Sequence, residues 1–234
     1  MSIRTAIILA GGLGTRLRSA VPDLPKCMAP VAGRPFIGWV IDYFQKAGVE
    51  KFIFALGYKS EHFDTFLQST LPAGSYTCSI EKEPLGTGGA IQLACQHSTD
   101  KTVLILNGDT FFRIDLQALS GFHEQQQADC TLCLRPMSDF DRFGVVELDE
   151  TSRVRSFREK QYYSQGLING GIYALDRTSF LKEGLPEKFS FEKDYLEKFY
   201  TTRRLCGLVQ DEYFIDIGIP EDYQRAQLDS LIIK

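Results

Sequence analysis

Thr5-Ala6-Ile7-Ile8-Leu9-Ala10-Gly11-Gly12-Leu13-Gly14-Thr15-Arg16-Leu17 runs from an apolar stretch straight into glycines. Residues 5–10 suit a strand buried on both faces. A strand that ends in glycines exposes backbone N–H groups at its carboxyl edge, and phosphates can approach closely where no Cβ stands. Ligands of open α/β sheets bind at that edge. Arg16 adds a guanidinium suited to paired phosphate oxygens. The spacing matches neither the dinucleotide-binding nor the P-loop pattern, so the glycines alone would also fit a tight turn.

Outward from this stretch, strand and helix alternate. Phe36, Ile37, Val40, Ile41, Phe44 and Ala47 recur at helical spacing, and Gly48 stops the helix. Strands are expected at 51–56, 77–81 and 102–106, with helices at 62–68 and 89–96. That order implies a mostly parallel, three-layer α/β sheet. The second half reads as strands at 129–134, 144–148, 154–159 and 171–175, then helices at 191–199 and 221–234. With no linker or repeat, residues 1–234 read as one domain, the strand-rich half covering the open end of the sheet.

Composition narrows the function. Hydrophobic residues at 44% and charged residues at 24% are ordinary globular values, and 234 residues can bury a large core. A net charge of -4 argues against a general nucleic-acid binder, so phosphates would need a local site. The apolar run at 6–10 is too short for a signal peptide or a membrane span, which points to a cytoplasmic protein. Cys130 and Cys133 lack a second pair for zinc, and strand alternation sends them to opposite faces. They read as buried small hydrophobes. His62, His97 and His123 lack ligand spacing and read as exposed helix residues.

Lys26 stands between Pro25 and Pro30, in a stiff segment just after the glycines. Prolines restrict that backbone, so the ammonium is held beside the expected phosphate loop. The span 8–31 resembles the N-terminal signature of the sugar-1-phosphate nucleotidyltransferases. The resemblance implies a Rossmann-like mixed sheet, the nucleotide-diphospho-sugar transferase fold. It implies a loop (Leu9, Gly11, Gly12, Gly14, Thr15) around the triphosphate, with Arg16 and Lys26 neutralising charge. Cys27 departs from the proline common after that lysine, which would loosen the backbone and remove no charge.

Further matches extend almost end to end. Asp109, closing Leu106-Asn107-Gly108-Asp109, and Asp216, in Phe214-Ile215-Asp216-Ile217-Gly218, match the family's metal pair. Hard Mg²⁺ takes oxygen ligands and keeps waters, so two carboxylates plus phosphate oxygens suffice. Glu159-Lys160 resembles the sugar-phosphate motif, with Lys160 on the phosphate and Glu159 on sugar hydroxyls. Asn169, Gly170 and Gly144 match the same pocket. Arg16, Lys26, Asp109, Lys160 and Asp216 would therefore carry catalysis.

The segment 81–89 resembles the base-reading loop, with Glu81, Pro84, Gly86 and Thr87 at the nucleotide. Glu81 falls where uridylyl- and thymidylyltransferases tend to carry glutamine. A carboxylate only accepts hydrogen bonds, which suits the adjacent donors of guanine and favours GTP. Glu83 is a rival for that role. At finer grain the segments resemble the heptose 1-phosphate guanylyltransferases, while mannose 1-phosphate guanylyltransferases share most of them. A uridylyl- or thymidylyltransferase is the alternative enzyme, and a silent sugar-nucleotide sensor the alternative class. The sensor should have lost some of these charges. Homo-oligomerisation is left open.

Overall fold

The computed structural model describes residues 2–12, 17, 21–57 and 60–229. Gly14, Thr15 and Arg16 lie outside the described residues. In chain order the strands are β1 (Thr5–Leu9), β2 (Pro30–Val31), β3 (Arg34–Pro35), β4 (Lys51–Leu56), β5 (Tyr76–Ile80), β6 (Thr102–Asn107) and β7 (Thr110–Phe112). They continue as β8 (Cys130–Phe140), β9 (Val145–Leu148), β10 (Val154–Arg158), β11 (Tyr163–Asp176), β12 (Leu205–Val209) and β13 (Phe214–Asp216). The helices are α1 (Phe36–Lys46), α2 (Glu61–Thr70), α3 (Gly86–Ala94), α4 (Leu116–Gln126), α5 (Arg177–Leu181), α6 (Glu197–Phe199) and α7 (Pro220–Leu228).

A nine-stranded mixed sheet runs β10-β9-β11-β6-β1-β4-β5, with β8 on β11 and β12 on β8. Strands β6, β1, β4 and β5 are parallel, and β11 joins β6 antiparallel. The chain builds outward from β1 to β4 and β5, then returns to place β6 on the other side of β1. Such a reversal opens a crevice at the strands' carboxyl ends.

Alternation along β1 divides the interior between the two faces of the sheet. Ala6 and Ile8 pack with Phe36, Val40 and Phe44 of α1 and with Phe63 and Leu67 of α2. Ile7 points the other way, to Ile91 and Ala94 of α3 and to Phe180, Phe191 and Tyr195. Two apolar layers on one sheet make the three-layer arrangement expected from the alternation of elements. Cys133 belongs to the first layer and Cys130 to the second, both buried, as their spacing required.

Several expectations change. The expected strand at 171–175 is the end of the 14-residue β11, whose ladder to β8 breaks between Asn169 and Tyr173. Gly170 and Gly171 imitate a turn in the sequence, but they form an irregularity within one long strand. The segment 191–199 begins as a π-helix, Phe191–Leu196, before α6. Helix α4 was implied only by the reading of His123 as a helix residue, with no span assigned. Its N-cap Asp115 accepts from Ala118 N at 2.9 Å, and Leu116, Leu119, Ser120 and His123 form its buried face. His123 is therefore buried rather than exposed, with its Nδ1 2.9 Å from Thr131 Oγ1. No helix among the described residues is long and apolar enough to cross a membrane.

Candidate active site

The carboxyl ends of the parallel strands converge on one crevice. Leu9 of β1 pairs with Ala55 of β4 and Asn107 of β6, and Leu56 pairs with Ile80 of β5. The residues beyond those ends line a cavity of about 610 Å³, including Leu9, Gly11, Gly12, Glu81, Pro84 and Gly86. Gly12 is exposed, and among the described residues a Cβ there would meet nothing within 4 Å. Gly11 has a different reason to be glycine. A Cβ would stand 2.9 Å from Glu81 Oε1 and 3.0 Å from the Gly57 nitrogen.

Glu81 reaches back across the strand ends, and its Oε2 accepts from Leu85 N at 2.6 Å. Burial pushes its carboxyl above the usual range, and the Leu85 N–H partly offsets that. Glu83, its rival, lines the same cavity and is exposed. The glycines of 86–89 also serve packing. A Cβ on Gly88 would overlap the Phe189 ring, and one on Gly89 would overlap Glu187 O. Thr87 lines the cavity, yet its hydroxyl donates to Glu192 Oε2 at 2.7 Å and accepts from Phe191 N at 2.9 Å.

A second cavity of about 680 Å³ opens beside the first. Gly144, Glu159, Lys160, Asn169 and Gly170 all line it. Glu159 and Lys160 are exposed. Asn169 gives an amide hydrogen to Tyr173 Oη at 2.9 Å and accepts from Gly171 N at 3.1 Å. A Cβ on Gly144 would stand 2.7 Å from Arg158 O, so glycine there lets β10 close in. Among the described residues, Asn107, Asp109 and Glu192 line both cavities.

That junction holds the charges. The two-stranded ribbon of β7 and β13 pairs Thr110 with Asp216, and Ile217 N donates to Asp109 O at 3.0 Å. Two aspartates far apart in sequence thus meet. The Lys26 ammonium contacts Asp109 Oδ2 and lies 3.5 Å from Asp216 Oδ1, which also accepts from Gly218 N at 2.7 Å. Burial, and then the Asp109 charge, push the Asp216 carboxyl above its ordinary value, while Lys26 pulls the other way. Lys26 opens a 3-10 turn, Lys26–Met28, and the buried Cys27 anchors it from below. Burial and the neighbouring Asp109 push the Cys27 thiol up to about 12, so it serves as an apolar peg.

Several polar lining residues escaped the sequence reading. Asn107, Arg142, Ser190 and Glu192 all border the second cavity. Arg142 pairs with Asp222 of α7 at 2.6 Å. Asn107 sat inside a motif already quoted and Arg142 two positions before Gly144, whereas Ser190 and Glu192 lay at the start of a segment read only as a helix.

A crevice at the sheet's reversal, with paired carboxylates and a lysine at its floor, has known relatives. A Nucleotidyl transferase family model matches residues 5–231. The chain belongs to that family. A D-glycero-alpha-D-manno-heptose 1-phosphate guanylyltransferase from Aneurinibacillus thermoaerophilus is 48% identical over 222 residues, spanning 95% of this chain and 96% of the relative. The enzyme of that name from Campylobacter jejuni is 45% identical, spanning 96% of this chain and 99% of the relative. The crystal structure of HddC from Yersinia pseudotuberculosis, complexed with GMP-PN, superposes with a TM-score of 0.85. It is 37% identical and spans 96% of this chain and 98% of its own.

This nucleotidyltransferase belongs to enzymes that are in general metal-dependent. Its donor set fits a hard divalent ion. Two carboxylates on a rigid ribbon offer oxygen only, and incoming phosphates and water would complete the shell.

Proposed function

We propose that this chain transfers GMP from GTP to D-glycero-α-D-manno-heptose 1-phosphate, giving GDP-heptose and pyrophosphate. The observation that carries the reading is the junction, where Asp109 borders both cavities while Lys26 spans Asp109 and Asp216. The first half, 1–110, takes the nucleotide and the second, 111–234, takes the sugar phosphate. Leu9, Gly11, Gly12, Gly14, Thr15 and Arg16 wrap the triphosphate, and Glu81, Pro84, Gly86 and Thr87 line the base end. Gly144, Glu159, Asn169 and Gly170 border the sugar, and Lys160 meets its phosphate.

The nucleophile is a phosphate oxygen, already anionic, so no strong general base is needed. It attacks the α-phosphorus in line and pyrophosphate leaves. Two polyanions repel by about 3 kcal/mol per charge pair at ~5 Å in a medium of effective dielectric near 20. Lys26, Arg16 and Lys160 offset that repulsion, and the crevice fixes the line of attack. Asp109 and Asp216 would hold Mg²⁺, which when bound adds positive charge at the phosphate oxygens. GTP is favoured because Glu81 can only accept hydrogen bonds. Relatives at 48% and 45% identity, both heptose 1-phosphate guanylyltransferases by name, support the sugar.

A pyrophosphate-release assay tests this by crossing four nucleoside triphosphates with heptose, mannose and glucose 1-phosphates. GTP with heptose phosphate should give the highest kcat/KM. Turnover led by UTP or dTTP would end the guanylyl assignment, and mannose phosphate in the lead would replace the sugar.

A further inference from the structure

We propose that Glu192 determines sugar specificity by accepting hydrogen bonds from ring hydroxyls of the sugar 1-phosphate where the two cavities meet. The proposal rests on the assignment of the second cavity to that substrate. Glu192 is half-buried in the first turn of the π-helix and borders both cavities. Its carboxylate is aimed by two hydroxyls. Thr87 Oγ1 donates to Oε2 at 2.7 Å and Ser190 Oγ donates to the same oxygen at 3.2 Å. Each hydroxyl in turn accepts a backbone N–H, from Phe191 at 2.9 Å and from Lys193 at 3.2 Å. A hydroxyl has one proton to give, so both protons are committed to Glu192 and the carboxylate is held as an acceptor.

No cation among the described residues lies within ion-pair distance of it. A carboxylate beside two polyanions and without a counter-ion opposes their binding unless it meets donors. Both substrates carry such donors as hydroxyls, and the surroundings favour the sugar. Ser190, Lys193, Leu196 and Glu197, on the π-helix and its two caps, line the second cavity and not the first. Asn169, whose amide donates to the Tyr173 phenol at 2.9 Å, lines the second cavity together with Glu192. Glu192 and Asn169 therefore flank one space.

The test compares the parent with Glu192→Gln and Glu192→Ala, varying heptose 1-phosphate at saturating GTP and the reverse. Losing a charged acceptor for a substrate hydroxyl should raise KM for the sugar 1-phosphate roughly tenfold in Gln and more in Ala. KM for GTP should stay within about twofold, a split that general loosening of the π-helix would not give. A raised KM for GTP with an unchanged sugar KM would assign the carboxylate to the ribose and overturn the proposal. Two unchanged KM values would reduce Glu192 to a helix buttress. Glu192→Gln keeps acceptor capacity for Thr87 and Ser190, so it serves where Ala fails to fold. A parent that releases no pyrophosphate sinks the guanylyl-transfer reading instead. Calorimetric titration with heptose 1-phosphate then decides on Glu192 separately: equal affinity in parent and variants, or no binding by the parent, overturns it.

Discussion

The Lys26 ammonium stands 3.5 Å from Asp216 Oδ1, a residue 190 positions away, while contacting Asp109 as well. One cation thus serves two carboxylates, and the trio keeps one net negative charge for a metal. Lys26→Met should lower kcat/KM at least a hundredfold in pyrophosphate release, since a fixed cation at the transferring phosphate is lost. It should also shift the urea midpoint by an amount equal to about 1–3 kcal/mol, because two half-buried carboxylates lose their partner. Full activity in this variant would remove Lys26 from the mechanism.

Gly218 lies against the same trio. A Cβ there would stand 2.7 Å from both Asp216 Oδ1 and Lys26 Nζ. Gly218→Ala should therefore push the carboxylate aside and weaken Mg²⁺ activation, with kcat down about ten- to hundredfold. The metal concentration at half-maximal rate should rise, and an unchanged value would show that the trio tolerates the methyl.

Glu81→Gln should lower kcat/KM for GTP about tenfold while that for UTP holds or rises. Glutamine can still accept from Leu85 N, so the loop should keep its shape and the effect should report on the base. Nucleotide preference that does not move would shift attention to Glu83.

Burial holds the His123 imidazole down to about 4, Asp176 resisting and Lys101 assisting that shift. The folded protein keeps the ring neutral where the unfolded chain would protonate it near 6.5. Its contribution to stability is therefore complete above pH 6.5 and declines as pH falls toward 4, by about 3 kcal/mol at most. Thermal midpoints followed from pH 7 to 4.5 should drop less steeply in His123→Gln than in the parent. Parallel curves would show that other groups carry the acid sensitivity.

Helix α4 and His123 also mark a limit of reading by pattern. Leu116, Leu119, Ser120 and His123 share one face, but two polar residues among four hide the apolar stripe. The Thr131 hydroxyl, on the neighbouring strand β8, gives the buried ring a partner that the local sequence does not name. The 14-residue β11 was cut short in the same way, since Gly170-Gly171 imitates a turn. A Cβ at Gly170 would overlap the Phe112 ring, and one at Gly171 the Asn107 amide. Those glycines answer to neighbours that the local sequence does not name.

By itself the sequence determined the strand that ends in glycines, the alternation that builds the parallel half, and the identities of Lys26, Asp109 and Asp216. The strand and the alternation are local patterns, set by residue type and by periods of two and 3.6, whereas Lys26, Asp109 and Asp216 were picked out by the motifs they share with the family. Tertiary structure alone decided that Glu192 stands 105 positions from Thr87 yet accepts its proton, and that Asn107 borders both cavities. Such contacts follow from the register of β7 on β13 and the docking of the π-helix on α3. Pairings of that kind arise from the packing of whole faces, which no short stretch of residues encodes.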